Sequence, residues 1–432
     1  MPEQYILLPA AEHSIDPDAI DPRSRDIIKR LQKAGFQAYL VGGCVRDLLL
    51  GHQPKDFDIA TSAHPEQVRK LFSSCRLIGR RFRLAHIYYG RDYIEVATFR
   101  APHDTGQQGS VDAQGRIIHD NVYGTLEEDV WRRDFTINAL FYDPVSGEVL
   151  DYIGGLEDLR ARRLRLIGDP QLRYREDPVR MIRALRFAAR LGCSLDGETG
   201  HLIRPMANLL DAVAPARLFD ELLKLLHGGY GLRGFQLMEE YGVLGFLLPL
   251  TDESLELDAS GSFRLLLENA LRNTDQRITE GKSVMPPFLF AVLLWEQVRT
   301  LADEIMEEED CSEIQALNLA ASEIISDQVQ CTAIPRRFSN ITREIWTLQP
   351  RFSYRELRRA NTLFNNQRFR AAYDFLALRA EAGEGDEVTA DYQWWTEFQQ
   401  SKPDERAAMC NPSARKRRKK RRSKPRPEER EN

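Results

Sequence analysis

At 432 residues, 42% of them hydrophobic and 29% charged, the chain has the composition of a globular protein with two or more cored domains, which excludes a fibre or a wholly disordered chain. No run approaches the roughly 20 apolar residues that span a bilayer, and Met1–Leu8 lacks a basic segment followed by an apolar core, so a cytoplasmic location is expected. The formal net charge is −5, yet residues 415–426 hold ten Lys and Arg and no acid, which leaves −15 for the rest of the chain.

In chain order, residues 1–22 read as an N-terminal extension. Residues 23–34 place Ile27, Ile28 and Leu31 at helical spacing and stop at Gly35, which predicts a short amphipathic helix. Ala38–Val41 reads as a buried strand running into Gly42-Gly43, and Val45–Leu50 as a helix ending at Gly51. A strand over Phe57–Ala60, a helix over 65–72 and two strands, Leu84–Tyr89 and Tyr93–Thr98, complete the pattern of an α+β head over 23–153. Residues 101–121, rich in Gly, Gln, Asp and Ser, read as a long loop.

From about residue 155 the pattern turns helical. A neck is expected over 154–227 and a body over 228–401, with helices at 177–191, 217–227, 263–271, 286–301 and 366–381. The basic run, bounded by Pro412, Pro425 and Pro427, has too little apolar surface to fold. Residues 402–432 are therefore expected to be a disordered tail in which Arg415, Lys416, Arg417, Arg418, Lys419, Lys420, Arg421 and Arg422 attract a phosphate backbone. The six cysteines are scattered, with no CxxC pair, so neither structural zinc nor disulfides are expected.

Asp56 and Asp58 flank Phe57 on the predicted strand, so both carboxylates would leave one face while Phe57 turns to the core. Such a pair can hold hard cations: Mg²⁺ favours one or two carboxylates plus substrate phosphate oxygens, and two ions roughly 4 Å apart serve phosphoryl or nucleotidyl transfer. A lone DxD is more often a surface feature, but Gly42-Gly43 lies just upstream, where backbone can approach a phosphate at the start of a helix. No GxxxxGK[ST] occurs, which excludes a P-loop. Glu95, in the middle of an apolar strand, is either a third metal-facing carboxylate or a hydrogen-bonded edge-strand Glu.

These residues sit in recognisable company. Leu40-Val41-Gly42-Gly43-Cys44-Val45-Arg46-Asp47, followed by Asp56-Phe57-Asp58, resembles the signature of the class II nucleotidyltransferases, which comprise tRNA CCA-adding enzymes and bacterial poly(A) polymerases. Arg132-Arg133-Asp134-Phe135-Thr136-Ile137-Asn138-Ala139, Gly154-Gly155-Leu156-Glu157-Asp158-Leu159 and Arg175-Glu176-Asp177-Pro178-Val179-Arg180-Met181-Ile182-Arg183 follow in the family's order. The resemblance implies a DNA polymerase beta-like nucleotidyltransferase head with a mixed sheet, then an all-α neck and body. It also implies that Asp56 and Asp58 bind Mg²⁺ or Mn²⁺ and that Asp134 joins them. ATP as substrate would then be held by Gly42, Gly43, Arg46, Arg133, Asn138 and Arg183.

Asp177 and Arg180, three apart on one predicted helix, correspond to the family pair that reads the Watson–Crick edge of the incoming base; carboxylate accepts from amino groups and guanidinium donates to ring nitrogens. Of the arginines that follow, Arg183 reads as phosphate-facing and Arg190 as part of a solvated face.

The segment Leu77-Ile78-Gly79-Arg80-Arg81-Phe82-Arg83-Leu84-Ala85-His86-Ile87 resembles the one that separates bacterial poly(A) polymerases from their CCA-adding relatives. What it implies is template-independent addition of AMP to RNA 3′ ends, on mRNA and small RNAs, with pyrophosphate leaving, tails that promote RNA decay, and RNA-decay proteins as partners. Two other readings remain open: a CCA-adding enzyme that also incorporates CMP, and, from another class, a non-catalytic RNA-binding protein with a degenerate head.

Overall fold

The computed structural model describes residues 5–79, 83–101 and 122–410. Residues 102–121, expected to be a loop, Arg80–Phe82 and the chain from residue 411 onward lie outside the described residues, so the expectations placed on Arg415–Arg422 are not addressed by the fold; Pro403–Cys410, expected to be part of a disordered tail, is a helix. Contacts divide the chain into two units, one running to Val213 and including Glu240–Val243, the other comprising Ala214–Glu239 and the chain from Leu244 onward. The boundary expected between head and neck at residue 153 falls inside the first unit.

The first unit is built on an eight-stranded mixed sheet. Its strands are β1 (Ile6–Leu8), β2 (Ala38–Val41), β3 (Ile59–Thr61), β4 (Cys75–Ile78), β5 (Leu84–Tyr89), β6 (Asp92–Thr98), β7 (Phe141–Asp143) and β8 (Glu148–Asp151), in the order β1-β8-β7-β2-β3-β6-β5-β4. β3 and β6 run parallel; the other neighbours are antiparallel. The period-2 pattern found β2, β5 and β6 within a residue. It missed β1, β4, β7 and β8, strands of three or four residues in which alternation is too short to stand out.

Helix α1 (Pro22–Lys33) starts where Pro22 needs no donor and the Asp21 side chain accepts from the Arg23 N–H at 2.8 Å. Its fully buried Ile27, Ile28 and Leu31 sit at the helical spacing read from sequence, and the helix packs on β2 and β3, while α2 (Gly43–Leu49) contacts β2 and α3 (Pro65–Leu71) contacts β4 and β5. Val41, Ala60, Phe141 and Leu150 form a separate core with Leu126 and Val130 of α4 (Leu126–Trp131) and with Phe99 and Ile167. Three further helices finish the part of this unit that concerns the site: α5 (Gly155–Arg160), α6 (Pro170–Glu176) and α7 (Val179–Leu191).

The second unit is helical throughout its described residues. The helix expected at 286–301 is two, Pro286–Leu293 and Trp295–Glu308, separated at Leu294; the one expected at 263–271 runs from Ser262 to Thr279, and the one expected from residue 366 begins at Phe369. Trp395, fully buried, packs with Phe352, Phe369 and Phe398 and donates its indole N–H to the Phe352 carbonyl at 2.8 Å. Among the described residues no helix is long and apolar enough to cross a membrane.

Candidate active site

The Gly-Gly turn leaves β2 in a conformation other residues rarely adopt, since Gly42 has φ 78° and ψ −129°. A Cβ there would find room, 3.6 Å from the Asn138 carbonyl oxygen and 3.7 Å from Arg133 Nη1. The backbone, not space, therefore demands glycine. The same distances put Arg133 beside the turn. Its guanidinium is aimed by Asp129, whose Oδ2 accepts from Nε at 3.0 Å and Nη2 at 2.7 Å. Asp129 was not singled out in the sequence, although its four-residue spacing from Arg133 on a helical stretch is the available signal.

Asp56 and Asp58 precede β3, which starts at Ile59. This corrects their placement on a strand, and Phe57 is only half-buried. The reason is local: the Asp58 carbonyl still accepts from Val41 N–H at 3.0 Å, but the residues before it leave the ladder. Continuing the register, with Ala60 opposite Ala97, puts Asp58 on the same sheet face as Glu95. Asp58 keeps solvent exposure at the rim of this face. The surrounding protein, followed by the charges of Glu95 and Asp56, nevertheless pushes its carboxyl up to about 6, with Arg133 opposing. Glu95, left open in the sequence between a metal-facing carboxylate and a hydrogen-bonded edge-strand Glu, thus shares the sheet face of Asp58. Its Oε2 lies 3.4 Å from His86 Nε2. Among the described residues no three or more His, Cys, Asp or Glu side chains come together in a group that could by itself hold a metal ion. Burial, then the charge of Asp58, pushes the Cys44 thiol up to about 12, so no thiolate nucleophile stands here.

Asp134, expected with these acids, is held by donors of the protein itself. Its carboxylate accepts from the Phe135 N–H at 2.8 Å, from Arg183 Nε at 2.9 Å and from Arg183 Nη2, and Asn138 Nδ2 lies at 3.4 Å. Burial alone would raise its pKa, but the Arg183 guanidinium and these donors outweigh burial and lower it. Arg183 was expected to face phosphate and instead grips Asp134. Arg46 was expected at the nucleotide or exposed; it is 1% exposed. It donates to Asp47 at 2.8 and 2.6 Å and to Asn138 Oδ1 at 2.5 Å. Arg190, read as solvated, pairs with Asp47 Oδ2 at 3.0 Å. The Phe187 ring sits among Arg46, Arg183 and Arg186, with guanidinium carbons 5.5, 5.5 and 4.3 Å from its centroid. One continuous network therefore ties α7 to the Gly-Gly turn.

The Gly154-Gly155 motif serves the same end. Asp151 accepts from the Ile153, Gly155 and Leu156 N–H groups and so caps α5. A Cβ on Gly155 would lie 2.4 Å from the Thr136 carbonyl oxygen, so only glycine lets α5 rest on the turn that carries Asn138. Asp158, fully buried, accepts from Thr136 Oγ1 at 2.7 Å, Arg163 Nε at 2.6 Å and Arg165 Nε at 2.9 Å.

Asp177 and Arg180 do not share one helix. Asp177 is extended, at φ −149°, between α6 and α7, because Pro178 disfavours helical backbone in the residue before it. Its Oδ1 accepts from the Val179 N–H at 3.3 Å. Arg180 Nη1 donates to the Arg173 carbonyl at 2.7 Å and pairs with Glu176 Oε2 at 2.8 Å.

Comparison with known proteins matches three family models. They are the poly A polymerase head domain over residues 38–165, the probable RNA and SrmB-binding site of polymerase A over 192–255, and the polymerase A arginine-rich C-terminus over 309–428. A poly(A) polymerase I of Escherichia coli is 45% identical over 415 residues, covering 94% of this chain and 89% of that protein. The Haemophilus influenzae poly(A) polymerase I is 43% identical over 408 residues, 93% of this chain and 90% of that one. Among solved structures, the Bacillus stearothermophilus CCA-adding enzyme in complex with CTP superposes with a TM-score of 0.57 at 27% identity, covering 87% of this chain and 81% of that chain.

Proposed function

The chain belongs to the poly(A) polymerase family, and from that premise we propose that Asp56, Asp58 and Glu95 form the centre at which it joins AMP to RNA. It is a polynucleotide adenylyltransferase. The observation that carries the assignment is the register of β3 and β6, which sets Glu95 on the face of Asp58, where the charges of Glu95 and Asp56 both act on Asp58 and one guanidinium, Arg133, opposes them. Such a deficit of positive charge fits a divalent cation, Mg²⁺ or Mn²⁺, held by these acids together with phosphate oxygens of ATP. When bound there, the cation lowers the pKa of the attacking hydroxyl and offsets the charge of the triphosphate.

The RNA 3′-hydroxyl oxygen attacks the α-phosphorus of ATP; the new O–P bond forms, the bond to pyrophosphate breaks, and the hydroxyl proton leaves to solvent. Gly42 and Gly43 let the triphosphate approach the backbone while Arg133 supplies charge beside it. Asn138, held by Arg46 and Asp134, presents a fixed surface to the nucleotide, so Arg46, Asp134 and Arg183 act on ATP by positioning. Asp177, at the junction before α7, and Arg180, in the first turn of α7, read the adenine edge. The head over 23–153 carries the chemistry, the neck over 154–227 selects the base, and the body over 228–401 with the basic tail holds RNA through phosphates, with little sequence preference. A cytoplasmic enzyme whose tails mark RNA for decay, in company with decay proteins, is the cellular role.

Purified protein with a non-tRNA oligonucleotide, Mg²⁺ and each nucleoside triphosphate in turn tests this. A long ladder with ATP alone is expected. CMP-CMP-AMP addition confined to a tRNA lacking its 3′ end would replace the reading with CCA addition, and inactivity on both would leave an RNA-binding protein.

A further inference from the structure

Among the described residues, the sheet face that carries Asp58 and Glu95 is covered on one side only. Toward β2, β7 and β8 it is covered by the core around Val41, Ala60 and Phe141. In the other direction the register places Glu95, His86 and Arg76 in one row across β6, β5 and β4, level with Asp58. Two residues along the strands, Tyr93 and Tyr88 face each other in a second row. These side chains are ordered against one another. The His86 and Tyr93 rings are 4.1 Å apart and within 5° of parallel, the Tyr88 ring is 5.7 Å from Tyr93, and the Arg76 guanidinium carbon lies 5.1 Å from the Tyr88 centroid. Tyr93 is nonetheless 52% exposed, and Arg76 has no ion pair among the described residues.

A cross-strand aromatic pair by itself stabilises a hairpin, and that would account for Tyr88 and Tyr93. It does not account for an unpaired arginine laid on the same rings, nor for the stack's position. Tyr93 is two residues from Glu95 along β6, roughly 7 Å, the length of about two stacked nucleotides. Exposed aromatic rings with an arginine alongside are the surface that single-stranded nucleic acid stacks on, because every base has a π-face and stacking tolerates sequence.

We propose that Tyr93, with Tyr88 and Arg76, is a stacking platform for the last bases of the RNA primer, which sets the 3′-hydroxyl beside Asp58. This rests on the polymerase reading above and deepens it. The platform reads no base edge, so it accepts any RNA at initiation. After a few additions the primer ends in adenines, which offer large faces to stack, so the growing tail fits it better than most starting ends.

The test uses the full chain with an oligoadenylate primer. Tyr93→Ala should raise the KM for primer about tenfold, leave the KM for ATP unchanged and keep the melting temperature, whereas Tyr93→Phe, which keeps the ring, should behave as the native protein. Arg76→Ala, on an exposed side chain and without effect on folding, should raise the primer KM by about threefold and serves if the alanine at 93 unfolds the hairpin. A photoreactive adenine at the last or penultimate primer position should label residues 84–98. Unchanged primer KM in folded Tyr93→Ala and Arg76→Ala proteins, with label outside that hairpin, would overturn the platform. The label needs no turnover, so a chain that proved inactive would defeat the polymerase reading while the labelling still judged the platform.

Discussion

Asp58 and Asp134 are both carboxylates beside arginines in the first unit, and they have been driven in opposite directions. Burial raises both; around Asp58 the charges of Glu95 and Asp56 add to it and the pKa rises to about 6, whereas around Asp134 the Arg183 guanidinium, a backbone N–H and Asn138 outweigh it and the pKa falls. One acid waits for positive charge and the other already has it. The contrast teaches that a signature acid's role follows from whether its lone pairs are filled by the protein itself: filled, it is a strut; unfilled and crowded by like charge, it is a ligand site.

The largest effect should come from breaking the unfilled site. Asp58→Ala should cut AMP incorporation by at least about 10³-fold while the protein keeps or gains thermal stability, because a repulsive charge is lost. Substantial turnover by the folded variant would return the catalytic role to another acid. Asp134→Ala should do the reverse in kind. Removing the carboxylate that Arg183 grips should cost about 3 kcal/mol of folding stability in denaturant titrations, with activity reduced through a loosened α7; an unaltered midpoint would mean the network is ornamental.

A smaller loss, about 2 kcal/mol, is expected for Gly42→Ala, since φ 78° is strained for any residue with a Cβ although space is available. A thermal melt decides it, and stability equal to the native protein's would mean the turn relaxes. The pH behaviour should separate the two acids further. Asp58, raised above its ordinary 3.8, favours the folded state when protonated, so its contribution is full below about pH 4 and is lost as pH rises through about 6. Asp134, lowered, contributes above 3.8 and loses its contribution as pH falls below that value. Denaturation midpoints between pH 4 and 6 should therefore flatten in Asp58→Asn. Mg²⁺ should raise the melting temperature of the native protein above about pH 6 and not that of the variant. The mildest change concerns the tail: removing residues 413–432 should weaken RNA affinity and flatten its dependence on salt, by about 0.7 in log–log slope for each phosphate the tail no longer neutralises. Equal affinity at low and high salt would remove the tail from RNA binding.

Much of the head was legible because its signals are local. Ala38–Val41, the Gly-Gly turn and the helix after it, and the strand pair around Gly90 follow from period-2 runs and glycines that need no partner to be recognised. β1, β7 and β8 were not legible, because strands of three or four residues are too short for alternation to mark them. Some of the second unit's helices were found from their apolar spacing, but not others such as Glu313–Cys331 and Asp386–Gln400, nor breaks such as that at Leu294.

For the site, the sequence by itself determined which residue types are present and in what order, including the DxD, the glycines that permit close approach, and the motif arginines that resemble a known family. Only the tertiary structure decided which acids share a face and which are consumed. Glu95 reaches Asp58 by the parallel pairing of β3 with β6, and Asp134 is claimed by an arginine 49 residues away. Asp177 leaves its helix because a proline follows it. Charge and hydrogen bonding act through space, so whether a carboxylate is a strut or a ligand depends on neighbours that only the fold brings within a few ångströms.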